Sequence, residues 1–170
     1  MILIKTGLIE PIWDIEEFRK LNYKIDTHKD TALIDDYERA GHFRQSMTLF
    51  NYFEPNPMPQ VVHDHIVPYF GYNNASVAVN LFEPGQYLPV HSDLFGRYRQ
   101  IHGLDKDIRI YRTIVMLEDS SPGQLIQVDD RAWAFWRTGW WIEWEGDTPH
   151  AFYNLSFHNR YAVQITGTKG

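Results

Sequence analysis

From Ser76 onward the chain alternates between apolar and polar positions with a period of two. Val77, Val79 and Leu81 fall on one side of an extended segment, while Ser76, Ala78, Asn80 and Phe82 fall on the other. Further short runs follow: Ile108 to Leu117, Leu125 to Val128, Ala132 to Trp136, Gly139 to Trp144, Ala151 to Tyr153 and Arg160 to Thr166. The acidic turn Glu118-Asp119-Ser120-Ser121-Pro122-Gly123 separates two of them. Several short strands punctuated by turn residues predict an all-β barrel or sandwich. The N-terminal part reads differently. Ile15, Phe18 and Leu21 share a helical face behind the acidic start Asp14-Ile15-Glu16-Glu17, and Asp35 to Phe50 is expected to hold a second helix. Asn51 to Pro59 is the one plausible seam, within which Glu54-Pro55-Asn56-Pro57-Met58-Pro59 is expected to be an extended connection. The pattern therefore predicts a mainly β protein of one domain over residues 1–170. Residues 1–59 would give helical support, and residues 60–170 a double-stranded β-helix, or jelly roll.

Composition narrows this picture. The chain has 170 residues, 44% hydrophobic and 22% charged, which suits a compact globular domain. No run approaches the roughly 20 apolar residues of a membrane span, and the opening Met-Ile-Leu-Ile is too short for a secretion signal. A cytoplasmic location is the resulting expectation. A net charge of −6 argues against a general nucleic-acid surface. Arg97, Arg99, Arg109 and Arg112 cluster in sequence and are read as solvated surface or small-anion contacts. With no cysteine, metal chemistry would fall to His, Asp and Glu.

Those residue types converge on one motif. His91-Ser92-Asp93 follows the turn Glu83-Pro84-Gly85-Gln86, and in extended backbone residues i and i+2 project together. One imidazole and one carboxylate could thus meet a metal from a single strand end. A second histidine from a distant strand would complete facial coordination that leaves positions open on Fe(II). His150, after Thr148-Pro149, is the candidate. A His-x-Asp triplet alone also arises by chance. Arg160 adds weight, because it opens a strand in which Tyr161, Val163 and Ile165 are apolar and the even positions are polar or small. A guanidinium on the interior face needs an anion, and a dicarboxylate would meet it with two prongs. The bland alternatives are a strand-end surface arginine or one paired with a protein carboxylate.

Glu83-Pro84-Gly85, His91-Ser92-Asp93, His150 and Arg160 together resemble the Fe(II)/2-oxoglutarate-dependent dioxygenases. The order and spacing are closest to the aspartyl/asparaginyl β-hydroxylase branch, which includes free-proline hydroxylases. The resemblance covers roughly Ser76 to Thr166. It implies that His91, Asp93 and His150 hold iron and that Arg160 binds the distal carboxylate of 2-oxoglutarate. It also implies that Asn80, Tyr111 and Thr113 line the cosubstrate site. The activity implied is hydroxylation of an unactivated C–H bond in an amino-acid-type substrate, free or in a polypeptide. Dioxygen would be consumed, and 2-oxoglutarate would become succinate and CO2. Some members lack the acidic ligand, whereas this chain has Asp93.

Other features compete. His63-Asp64-His65 could begin a cupin-like metal site for an isomerase or a cosubstrate-independent dioxygenase, but no cupin-like glutamate and distal histidine follow; both histidines are expected on a strand or loop. His102 and His158 are expected to be loop histidines. Trp133, Trp136, Trp140, Trp141 and Trp144 occur at both parities and are read as packing residues. The alternative is an aromatic substrate platform or an association surface, and a non-catalytic aromatic-rich module for sugars or peptides is a further reading of the whole chain. Leu94 to Asp107 is polar, carries Gly96 and Gly103, and is expected to be a lid or substrate loop. Substrate identity and oligomeric state do not follow from the sequence.

Overall fold

A computed structural model describes residues 2–170. Among these residues, eleven strands form two antiparallel sheets in a jelly-roll arrangement. They are β1 (Ile4–Leu8), β2 (Lys24–Thr27), β3 (Thr48–Phe53), β4 (Asn73–Phe82), β5 (Tyr87–His91), β6 (Ile110–Met116), β7 (Gln124–Val128), β8 (Arg131–Trp133), β9 (Trp140–Glu145), β10 (His150–Asn154) and β11 (Arg160–Thr168). The larger sheet has the order β1-β9-β6-β11-β4-β3-β2, and the smaller β5-β10-β7-β8.

The period-two pattern explains how the layers form. Val77, Val79 and Leu81 of β4, with Tyr161, Val163 and Ile165 of β11, build a core on the outer face of the larger sheet. Helix α1 (Ile15–Arg19) seats Phe18 there, and a π-helical turn (Val62–Ile66) adds Val62 and Ile66. Burying each such side chain stabilises the fold by roughly 1.5–3 kcal/mol. The opposite positions, Phe82 and Ala162, face the smaller sheet, where they meet Leu88, Ile126, Val128 and Phe152. Asp14 caps α1 by accepting from the Glu16 amide at 3.0 Å.

The N-terminal third departs from the expected helical support. Three of its segments are strands of the larger sheet: β1 pairs with β9, and β2 with β3, which pairs with β4. The second helix, α2 (Thr31–Arg39), starts earlier than expected because Asp30 accepts from the Leu33 amide at 3.0 Å. The latter part of the expected helix is β3, whose apolar and aromatic residues alternate on the sheet instead of following helical spacing. Asn51 to Pro59 is no seam: it begins inside β3 and then turns tightly, with the Asn56 amide on the Phe53 carbonyl at 3.1 Å.

Leu94 to Asp107 is not a plain loop, since it contains helix α4 (Gly96–His102), which carries His102. The helix that continues the π-helical turn, α3 (Val67–Phe70), ends at Gly71 in the left-handed region. Trp133, Trp136, Trp140 and Trp144 pack in or against the inter-sheet core, whereas Trp141 packs under the helices beside Phe70. Both tryptophan parities are therefore used for packing. No helix among the described residues is long and apolar enough to cross a membrane.

Candidate metal centre

His91 ends β5 and His150 begins β10, and the two are direct partners across the smaller sheet. This register brings their rings to 4.3 Å between centroids. Asp93, just past the end of β5, completes a cluster in which one ligand atom from each residue lies within 4.8 Å of the others. Asp93 Oδ1 is 4.0 Å from His91 Nε2, and Oδ2 is 3.5 Å from His150 Nε2.

The backbone fixes the tautomers. His91 Nδ1 is 2.8 Å from the Pro89 carbonyl, and His150 Nδ1 is 2.8 Å from the Thr148 carbonyl. A carbonyl only accepts, so each Nδ1 carries the proton and each Nε2 presents its lone pair to the cluster. Burial pushes both imidazoles below their ordinary value, His150 to about 3, so both are neutral near pH 7. Burial would raise the Asp93 carboxyl, but Arg112 and the neighbouring histidines outweigh it and hold the group down to about 2. Two neutral imidazoles and one carboxylate brought together in this way are donors that could hold a divalent metal ion.

Arg160 opens β11 on the inner face, opposite Phe82 of β4. It is 4% exposed, and its Nε, Nη1 and Nη2 have no hydrogen-bond partner among the described residues. Its guanidinium instead lies 4.8 Å from the Phe82 ring centroid and 5.2 Å from that of Phe152. Burial alone pulls it down to about 9 from 12.5. Phe152 also lies against His150, at 5.5 Å between centroids, so one aromatic ring touches both the metal cluster and the unpaired arginine. Neither bland alternative for Arg160 describes this position.

The other candidates divide. Asn80 is buried on the inner face, but its Nδ2 donates to Asn51 Oδ1 at 2.5 Å, and Asn51 donates to Asp26 Oδ2 at 2.8 Å. Tyr111 and Thr113 point away from the centre, contrary to the inward position expected of them. Ile114 and Met116 occupy the inner face of β6, and alternation sends Tyr111 and Thr113 to the other side. There Thr113 meets the Tyr72 hydroxyl at 2.6 Å, and Tyr111 stacks on the Tyr72 ring.

Arg112, between them, faces inward and donates from Nη2 to Asp93 Oδ2 at 2.7 Å. Its parity on β6, set by Ile114 and Met116, was the available signal. His28 packs edge-on against His91 at 4.5 Å between centroids. It precedes α2 in an irregular segment, and no periodicity marked it.

His63 and His65 lie on the π-helical turn, not on a strand or loop. His65 Nε2 is 2.8 Å from the Glu10 carbonyl, and His63 is 3.6 Å from Glu54, so neither joins the cluster. His158 is exposed in the turn between β10 and β11. Arg99 donates to the carbonyls of Asp105 and Ile108, and Arg109 pairs with Glu145 at 3.3 Å.

No family model matches the chain, and no curated protein matches it. Among solved structures, a prolyl-4-hydroxylase from Pseudomonas putida aligns over 92% of this chain and 97% of its own, with TM-score 0.54 and 11% identity. A candidate sugar phosphate isomerase from Acidithiobacillus ferrooxidans aligns over 94% of this chain and 76% of its own, with TM-score 0.50 and 8% identity. At such identities the likeness is one of fold, consistent with the jelly roll described above.

Proposed function

We propose that the chain is an Fe(II)- and 2-oxoglutarate-dependent dioxygenase that hydroxylates an unactivated C–H bond of an amino-acid-type substrate. The observation that carries this reading is Arg160, a buried guanidinium with no hydrogen-bond partner among the described residues, which shares the Phe152 ring as a neighbour with His150 of the His91–Asp93–His150 cluster. An unpaired buried charge costs several kcal/mol, and an anion that also reaches the metal would offset that cost. 2-Oxoglutarate has this character, with a carboxylate at each end and a keto group beside one of them. The likeness in fold to a prolyl-4-hydroxylase is compatible with the reading.

His91, Asp93 and His150 would hold iron through Nε2, a carboxylate oxygen and Nε2. Arg112 fixes the Asp93 carboxylate, and the Pro89 and Thr148 carbonyls fix the two rings. Arg160 would bind the far carboxylate of the cosubstrate through parallel hydrogen bonds. Phe82 and Phe152, which lie against the guanidinium, would keep water from that contact. When bound, iron and 2-oxoglutarate would activate dioxygen, the oxidant, so that one of its oxygen atoms enters the substrate C–H bond and the other enters the succinate formed together with CO2.

The test needs no substrate guess. Succinate release by the purified chain is measured with Fe(II) and 2-oxoglutarate, and with each omitted. Release that requires both, and is lost in His91→Ala, is the expected result. Release that persists in His91→Ala refutes the reading.

A further inference from the structure

Two more buried nitrogens beside the triad have no hydrogen-bond partner among the described residues: Arg112 Nε and Trp144 Nε1. Arg112 of β6 and Trp144 of β9 are direct partners in the ladder, so their side chains stand next to each other on the inner face. Trp144 is fully buried, and its ring centroid is 4.8 Å from that of His150. Arg112 is held in place from two sides, by its Nη2 bond to Asp93 and by the Phe95 ring 5.2 Å from its guanidinium carbon. Indole and guanidinium N–H groups only donate, so neither can satisfy the other. Both require an acceptor, and the fixed positive charge of Arg112 favours an anionic one.

We propose that Arg112 Nε and Trp144 Nε1 form a second carboxylate-binding site at the edge of the metal centre. Arg160 does not serve the same group. The β11–β6 register sets Arg112 opposite Thr166, six residues along β11 from Arg160, or roughly 20 Å of strand. Two carboxylates could use the second site: that of an acidic or free amino-acid substrate, or the metal-side carboxylate of a 2-oxo acid. The first assignment rests on the dioxygenase reading and would make the substrate an acid whose carboxylate lies close to the ion. The binding site itself stands without that reading.

Acetate is the probe, with acetamide as its uncharged counterpart. Both are titrated by NMR into the metal-free full-length Arg160→Met chain, where the distal arginine cannot respond. Acetate is expected to bind and acetamide not. Adding Trp144→Phe, which keeps an aromatic side chain but deletes the N–H, should weaken acetate binding about tenfold or more. Circular dichroism and Zn(II) binding check that each variant is folded. Equal acetate affinity with and without Trp144→Phe, or no acetate binding to Arg160→Met, overturns the proposal.

A second titration uses the Zn(II)-loaded wild-type chain saturated with 2-oxoglutarate. Acetate binding that survives assigns the site to substrate, whereas binding that is blocked assigns it to the 2-oxo acid. Both results uphold the carboxylate site. Failure of the dioxygenase reading shows up separately, as absent Fe(II)- and 2-oxoglutarate-dependent succinate release, and leaves the acetate result standing.

Discussion

The guanidinium of Arg160 lies 4.8 Å from the Phe82 ring centroid, with no hydrogen bond among the described residues to offset its burial. Aromatic faces attract a cation, by about 2 kcal/mol when desolvated, which is less than the cost of dehydrating a guanidinium. The ligand-free fold therefore carries a penalty for holding a charge ready. Arg160→Met should raise ligand-free stability by about 1–4 kcal/mol in urea unfolding. It should also abolish the thermal shift produced by 2-oxoglutarate, which in the wild type should approach ~2.7 kcal/mol at a hundredfold excess over Kd. A less stable variant that still responds to 2-oxoglutarate would contradict the role given to Arg160.

The metal-free protein should lose stability in acid, and the sign follows from the buried histidines. His150 is depressed to about 3 from 6.5, and His91 is lowered as well, both chiefly by burial. As pH falls below about 6.5 the unfolded chain takes up these protons while the folded chain does not, so unfolding gains. The loss continues toward pH 3, and Asp93, held at about 2, extends it below 3.8. Denaturant midpoints of the apo protein from pH 7.5 to 4 should fall steadily. His150→Gln, which cannot take up a proton, should flatten that slope; an unchanged slope would assign the effect to other groups.

Much of this was legible in the sequence because β-structure has a simple parity. Val77, Val79 and Leu81 against Ala78, Asn80 and Phe82 sort correctly, and the same rule puts Arg160 inside with Ala162. His91, Asp93 and His150 could be nominated by residue type, but their convergence depends on the β5–β10 register, which no local pattern encodes. Tyr111 and Thr113 were misplaced by one residue of parity, and Arg112 took the inner position. The N-terminal strands were hidden for a different reason. β2 is only four residues long and lies at a sheet edge with Ile25 exposed, so it lacks a core-facing alternation to read.

The anchoring of β1 gives a stability prediction. Gly139 has φ +88 in the turn before β9, and a Cβ there would come within 2.3 Å of the Ile9 carbonyl oxygen. The Ile9 amide also bonds the Gly139 carbonyl at 2.9 Å, so this close approach locks the chain just after β1 to the start of β9. Gly139→Ala should destabilise the protein by at least ~1–3 kcal/mol through strain and loss of that contact. Hydrogen exchange should show the loss concentrated in Ile4–Leu8, whereas uniform protection would indicate that the turn adapts.

The face on which Tyr111 and Thr113 lie has its own charged group. Glu143 is 3% exposed and accepts from Lys169 Nζ at 2.7 Å on both carboxylate oxygens, as well as from the Tyr72 hydroxyl. Lys169 in turn lies 5.0 and 4.9 Å from the Tyr72 and Tyr111 ring centroids. Removing the lysine alone would leave a carboxylate buried with only hydroxyl partners. Because the Lys169 side chain is 31% exposed, part of its worth is screened by solvent. Lys169→Met should therefore cost about 1–3 kcal/mol, below the full penalty for breaking a buried pair. Lys169→Met combined with Glu143→Gln should recover most of that loss, since the glutamine removes the uncompensated charge. The double-mutant cycle, read by urea unfolding, isolates the pair. Additive effects of the two substitutions would show that Glu143 is held by its hydroxyl partners and not by Lys169.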